Sequence, residues 1–307
     1  MLTIIIPYYK LIFFEEALES LANQTDKRFT VFIGDDASPE RPDLLLEKYK
    51  DKFDFVYHRF DSNLGSISLT QQWERCVSLS NDEEWIMILG DDDKLGQNVV
   101  QLFNESVAYN SLKSINVVRF SSQVINENGN IVSDVFNHPE YESATDSFFR
   151  KQNNDTRSSL SEYIFKRSVY EKYKFADFPL AWYSDDMAWI EFAETNNIFS
   201  ISQGVVFFRY SGNNISSKTD NLDLKEKSKY IFYKILVEKK LDQFTKQQQR
   251  ILLTTLEVQL KKRKIFGSKD FFFLFRKFIA IGEYSFIPKL IKRQILYLLK
   301  QHNLWSQ

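Results

Sequence analysis

Four short, mostly apolar runs, each followed by a segment with helical spacing, constrain this chain more than any other feature of its sequence. Leu2–Ile6 is largely β-branched and is stopped by Pro7, and Thr30–Gly34, Phe53–Tyr57 and Trp85–Leu89 repeat the pattern. Runs this short, without strict polar alternation, read as strands covered on both faces. Between them fall Phe14, Ala17, Leu18, Leu21 and Ala22, then Asp43–Lys50, then Leu69, Trp73, Cys76, Val77 and Leu79, and finally Val99–Val107. Strand and helix in alternation predict an α/β fold, a mostly parallel sheet flanked by helices and joined by right-handed crossovers.

The pattern then loosens. Ile115–Ser121 reads as a strand, and Gln123–Val132 contains an Asn128-Gly129 turn that signals a hairpin. Residues 133–158 are polar with little periodicity, which predicts a long loop or flap. Asp185–Glu194 returns to helical spacing and Gly204–Tyr210 to strand. Beyond Asn221 only helices are expected, over Lys225–Lys240, Thr245–Lys262, Lys269–Ile281 and Pro288–Lys300. The charge changes at the same place. The whole chain is nearly neutral, with 40 Lys+Arg and 41 Asp+Glu, but residues 222–307 carry 19 basic against 7 acidic side chains. Two domains follow, an acidic α/β body over 1–221 and a basic, Phe-rich helical extension over 222–307.

Composition excludes several classes. The acidic body argues against a nucleic-acid partner. A single cysteine, Cys76, cannot form an internal disulfide, and with only His58, His138 and His302 a zinc site has almost no ligands to draw on. The N-terminus lacks the pattern of a signal peptide, and no apolar run is long enough to span a membrane. The expected location is the cytoplasm. The tail's Lys261–Lys264 and Phe271–Phe278 admit two readings, packed helices with solvated basic faces or a peripheral contact with anionic lipid at the inner face of the membrane.

In an open α/β sheet, ligands bind beyond the carboxyl ends of the strands. Two acidic clusters stand there, Asp35-Asp36 after the second strand and Asp91-Asp92-Asp93 after the fourth. Carboxylates in series repel one another unless a cation offsets them, and hard oxygen donors favour Mg²⁺ or Mn²⁺. The plainer alternative for Asp91–Asp93 is an acidic turn that starts a helix. A third pair, Asp185-Asp186, opens a helical segment, where Ser184 or Asp185 could simply be the N-cap. There is no Gly-x-Gly-x-x-Gly after the first strand, no P-loop and no nucleophile elbow.

Thr3-Ile4-Ile5-Ile6-Pro7-Tyr8-Tyr9, Ser20-Leu21-Ala22-Asn23-Gln24-Thr25, Val31-Phe32-Ile33-Gly34-Asp35-Asp36-Ala37-Ser38, Asn63-Leu64-Gly65 and Leu89-Gly90-Asp91-Asp92-Asp93 occur in that order. Together, over roughly residues 1–215, they resemble the family 2 glycosyltransferases of the GT-A fold. The resemblance implies a nucleotide diphosphosugar donor, most simply a UDP-sugar, and a glycan or lipid-linked acceptor. It implies substrate contacts from Pro7, Tyr9 (stacking on the base), Asp36 (accepting from the base edge), Asp92, Arg209 and Asp185. It implies a Mn²⁺ or Mg²⁺ held by Asp93, Asp92 or Asp91, and Asp186 as the general base of an inverting transfer.

Four departures stand against it. Gly90 occupies the place of the first acid of the family's Asp-x-Asp, Lys10 that of an Asn, and Gln71-Gln72-Trp73 that of Ala-Arg-Asn. Ser211 replaces the His of a late Arg-x-His segment within Arg209–Ser216. Two other classes therefore stay open, a sugar-nucleotide-binding protein without turnover and a sugar nucleotidyltransferase. The latter would want a glycine-rich phosphate loop, which Leu2–Lys10 lacks.

Overall fold

The structure is a computed structural model that describes every residue except 82, 110, 111, 213, 215, 216 and 304–307, and the side chains of 300–303. Positions 213, 215 and 216 of the segment compared with Arg-x-His thus lie outside the described residues. The chain forms two compact units, Met1–Leu222 and Asp223–Gln307.

The first unit runs β1 (Leu2–Tyr8), α1 (Phe14–Ala22), β2 (Phe29–Asp35), α2 (Asp43–Glu47), β3 (Phe55–Arg59), α3 (Leu69–Val77), β4 (Trp85–Ile88), β5 (Lys94–Leu95) and α4 (Val99–Ala108). It continues through β6 (Val117–Ile125), β7 (Tyr141–Ser143), α5 (Ala144–Gln152), β8 (Tyr163–Lys166), α6 (Arg167–Tyr173), α7 (Ser184–Phe192) and β9 (Asn197–Arg209). One sheet runs β3-β2-β1-β4-β8-β6-β9-β5, with β7 added against β9. β1 to β4 pair in parallel, as their unbroken apolar runs predict. Beyond β4 the sheet becomes mixed, because β8 enters antiparallel to both β4 and β6.

Both faces of β1 are buried. Leu2, Ile4, Ile6 and Tyr8 join a core with Phe14, Ala17, Leu18 and Leu21 of α1. α3 packs against β1 and β2, and Ile5 and Cys76 are fully buried as well. Each such aliphatic side chain contributes ~1.5–3 kcal/mol by leaving water, so this half of the sheet is a rigid base for whatever its strand ends carry. Burial also pushes the Cys76 thiol up to about 12, which leaves it inert.

Two expectations are corrected. Residues 133–158 are not a long loop: they hold β7 and α5, with Ser143 Oγ capping α5 by accepting from Asp146 N at 3.1 Å. A buried ion network supports them, in which Arg119, fully buried, donates to Glu142 (2.9 Å), and Arg150 donates to the same carboxylate (2.6 Å). Neither Ser184 nor Asp185 caps α7. The N-cap is Tyr183 in the left-handed region, and Ser184 Oγ instead donates to Ala176 O at 2.6 Å. The Asn128-Gly129 hairpin is present as expected, with Gly129 at φ 77° and Ile125 bridging Ile131 in antiparallel sense; Asn126 closes the turn, its side chain accepting from the backbone of Asn128 and Asn130.

The second unit is helical: α8 (Leu222–Lys239), α9 (Lys246–Lys262), α10 (Ser268–Ala280) and α11 (Ile287–Asn303). Phe232, Leu236, Leu252, Leu253, Leu256, Leu274, Phe278 and Leu290 form its interior. Among the described residues no helix is long and apolar enough to cross a membrane.

Candidate active site

The carboxyl ends of β1, β2 and β4 lie side by side in the parallel half of the sheet and bring the acidic clusters together. Asp35 and Asp36 divide the work at the end of β2. Asp35 is buried and accepts from Tyr57 (2.6 Å), Arg59 (2.7 Å) and the backbone of Ser38 (2.8 Å), so it is structural. Asp36 accepts from the backbone of Leu64 (2.7 Å) and Gly65 (2.9 Å) and from Arg75. A Cβ on Gly65 would sit 2.5 Å from Asp36 Oδ2, so only glycine lets this loop close on the carboxylate. Arg75 also lies 3.9 Å above the Phe60 ring and donates to Ser62 O. Pro7 pairs with Gly34 in the last turns of β1, and the Tyr9 side chain just beyond it is 38% exposed.

The acidic turn after β4 is organised by its own backbone and by distant donors. Asp91 Oδ2 turns back to the amides of Tyr9 and Lys10, both at 2.8 Å. Asp93 is buried, with one oxygen accepting from Ser161 Oγ and the other from Arg209 N at 2.9 Å. Asp92 Oδ2 accepts from Asn214 Nδ2 at 2.8 Å, which leaves its Oδ1 without a donor from another described residue. Burial, and then the neighbouring carboxylate charge, raises the pKa of Asp92 and Asp93, and burial raises that of Asp91. Gly90 is explained by the same crowding. A Cβ there would meet Asp92 Oδ1 at 3.0 Å and Asp93 Oδ2 at 3.1 Å.

A divalent cation fits this turn in a restricted way. Among the described residues no three acidic, His or Cys side chains converge on one point. The donor set offered is the open oxygen of Asp92, in a cluster whose charges repel. Mg²⁺ and Mn²⁺ in phosphate-handling sites are commonly held by one or two carboxylates plus substrate oxygens.

Arg209 does not stand where an anion contact would be. Its guanidinium is fully buried over Phe13 (4.4 Å), donates to Asp92 O and to the carbonyls of Asn126 and Glu127, and lies 2.7 Å from Glu16 Oε2 as an ion pair. It is a clasp that fixes the turn from behind. The late segment does reach the site, but through Asn214 rather than Ser211. The Ser211 amide and hydroxyl both donate to Asn214 Oδ1, which orients that side chain toward Asp92.

The third acidic pair lies on the first turn of α7. Asp186 is 5% exposed, and Lys151 of α5 donates to both its oxygens at 2.7 and 2.9 Å, while Asp185 lies 3.9 Å from the same ammonium. Burial, only partly offset by Lys151, pushes Asp186 up to about 6. Just before it, Leu180 (φ 61°), Ala181 (φ 52°) and Tyr183 (φ 74°) are all left-handed, strain of the kind that accumulates where a loop shape serves a site. Asp177 pins this loop to α3 by accepting from Ser68, Thr70 and Gln71.

The start of β8 ties the two halves of the site. Ser161 holds Asp93, and Tyr163, two residues on, stacks on Trp189 of α7 with ring centroids 4.0 Å apart. Arg75, Lys151, Ser161 and Asn214 were not foreseen. Arg75 could have been found as the charge next to Gln72 and Cys76 on the inner side of α3. Lys151 had no local signal, since its partner is 35 residues away.

Comparison with known proteins agrees with this geometry. Residues 3–189 match the family model described as Glycosyl transferase family 2. No curated protein sequence matches the chain. Among solved structures, Staphylococcus aureus TarS 1-349 in complex with UDP-GlcNAc superposes with a TM-score of 0.62 at 16% identity, over 88% of this chain and 74% of that one. The same TarS fragment in complex with UDP gives 0.54 at 14% identity, over 95% and 91%. The longer TarS chain gives 0.59 at 15% identity, and the match spans only 45% of it. At such identities the likeness establishes the fold.

Proposed function

The chain belongs to glycosyl transferase family 2, and from that premise we propose that it transfers a sugar from a UDP-sugar to an acceptor hydroxyl with inversion at the anomeric carbon, in the making of a polysaccharide or glycoconjugate. The observation that carries this reading is the double tie through β8, with Ser161 on the acidic turn and Tyr163 on α7. It supports one site in which a donor end and a base end are fixed to one short segment, residues 161–163, at the entrance to β8. That the TarS structures hold UDP-GlcNAc and UDP makes UDP-GlcNAc the first donor to test.

On this reading the base of the nucleotide lies on the exposed Tyr9 ring beside Pro7, with Asp36 and Arg75 shaping the edge of the pocket. Asp36 acts here mainly by holding the Leu64-Gly65 loop. A Mn²⁺ or Mg²⁺ on Asp92 would spread the negative charge that develops on the leaving diphosphate. Asp186 takes the proton of the acceptor hydroxyl as its oxygen forms the bond to the anomeric carbon. The bond from that carbon to the diphosphate breaks, and UDP leaves with the electron pair. Asp185 lies beside the base, where it can accept from the acceptor. The C-terminal helices are proposed to make a peripheral membrane contact, suited to a lipid-linked acceptor.

Asp92 and Asp93 separate a metal ligand from a structural acid. With Asp92→Ala, UDP binding should lose its dependence on Mn²⁺ while the melting temperature stays near wild type. Asp93→Ala should lower the melting temperature, since Ser161 and Arg209 lose their acceptor. Calorimetry showing equal UDP affinity in wild type with Mn²⁺ and with EDTA would remove the metal from the proposal. UDP-sugar binding without any release of UDP in the presence of acceptor glycans would favour the non-catalytic alternative.

A further inference from the structure

The C-terminal unit offers two cationic, apolar regions, the basic run Lys261–Lys264 with the phenylalanine-rich α10, and the outer face of α11. The unit itself consumes most of the first. Lys261 pairs with Glu257 at 2.6 Å, Lys262 with Glu226 at 3.0 Å, and Arg263 lies over the Tyr230 ring. Leu274 and Phe278 of α10 are fully buried.

α11 is different. One face is packed: Leu290 is fully buried, Arg293 is bound to Glu257, and Tyr297 lies against Phe266. At 100° per residue, Ile291, Ile295, Leu298 and Leu299 share a second face, one to two turns apart. Each is between 40% and 54% exposed. Pro288, Ile291, Lys292, Ile295 and Leu296 line an open groove of ≈ 380 Å³ there. Lys292 borders the stripe, exposed Lys289 lies farther round the same side with its ammonium 4.6 Å from the Phe286 ring centroid, and Ile287–Asn303 contains no Asp or Glu.

We propose that α11 lies in the plane of an anionic bilayer, with Ile291, Ile295, Leu298 and Leu299 entering the acyl boundary and Lys289 and Lys292 meeting lipid phosphates. This deepens the membrane contact proposed above and rests on it. The charge selects the occupant. A second copy of the same face would set lysine against lysine, whereas an anionic surface meets every cation on it. An amphipathic helix of this kind binds by apolar burial plus attraction to acidic headgroups.

The test is co-sedimentation of the full chain with phosphatidylglycerol–phosphatidylcholine vesicles and with phosphatidylcholine alone. Binding should need the anionic lipid and be released at 1 M salt, where the Debye length falls to about 3 Å. Ile291→Ser/Ile295→Ser and Lys289→Glu/Lys292→Glu should each weaken it by roughly tenfold or more. Phe272→Ser, on the exposed side of α10, should leave it unchanged. These side chains face solvent, so melting temperature and UDP binding should match wild type in all three. Vesicle binding that survives both α11 changes, or is lost in Phe272→Ser, overturns the assignment to α11 while leaving a membrane contact. Self-association in solution that the α11 changes abolish makes the occupant a second copy. Absence of any vesicle binding by the wild type removes the contact itself.

Discussion

A carboxylate that takes a proton must be ionised before the reaction, so the base role proposed for Asp186 rests on Lys151, which faces it and offsets part of its burial. The groups around it are Lys151 from α5, Asp185 on its own helix and the buried Tyr163 phenol near the ammonium. Burial raises its pKa, Lys151 lowers it and Asp185 raises it, with the balance at about 6. Activity should therefore fall as pH drops through that value. Lys151→Met removes the group whose charge and hydrogen bonds lower it, so the acid limb of kcat should move up by ~1–3 pH units, and Lys151→Arg should restore most of it. A limb that does not move in Lys151→Met separates the ammonium from the base. Gly90 makes a second prediction at this scale. Its missing Cβ is the space occupied by Asp92 and Asp93, so Gly90→Ala should cost ~1–3 kcal/mol as overpacking does, read by thermal unfolding. Gly90→Asp, which restores the family's first acid, should lower activity rather than raise it. A gain of activity there would mean that the turn reopens to hold another carboxylate.

Elements with their own hydrophobic period were legible in the sequence, and elements built from distant polar partners were not. β1 to β4 announced themselves as apolar runs, α1 and α3 by spacing, and α8 to α11 by helical pattern without strand signals. α5 did not. Its buried side is Ala144, Ser147, Phe148 and Phe149, too mixed to register as a stripe, and its support comes from Arg119 and Glu142 rather than from an apolar core. The site divided along the same line. Asp36, Asp91–Asp93 and Asp186 were visible because they sit in short acidic motifs at element ends. The burial of Arg209, the turning away of Asp91 and the Lys151 contact depend on hydrogen-bond partners 81 to 117 residues off in the first two cases and 35 in the last. Glu142 tests the weight of α5's support. Glu142→Ala leaves the buried Arg119 without its counter-ion and should cost ~3–5 kcal/mol in chemical denaturation. It should also reduce activity, since α5 carries Lys151. A loss below about 1 kcal/mol would show that Ser147 and Ser200, which also accept from Arg119, are enough.

At the scale of the whole molecule, the change of charge near residue 222 coincides with the end of the first compact unit at Leu222. The acidic unit holds every residue assigned to sugar transfer, and the basic unit holds none of them. The central claim concerns the acidic unit: that Asp186 is the base and that donor recognition lies elsewhere, at Tyr9, Asp36 and Asp92. A base acts in the transition state, so removing it should spare donor binding. Asn keeps the size of the side chain and a carbonyl acceptor but cannot take the proton. The most direct measurement is Asp186→Asn, comparing kcat with the Kd for the UDP-sugar under the same conditions. The account predicts a fall in kcat of ~10²–10⁴-fold with the Kd within a few-fold of wild type. Turnover near the wild-type rate in Asp186→Asn, or a loss that appears only in the donor Kd, would contradict it.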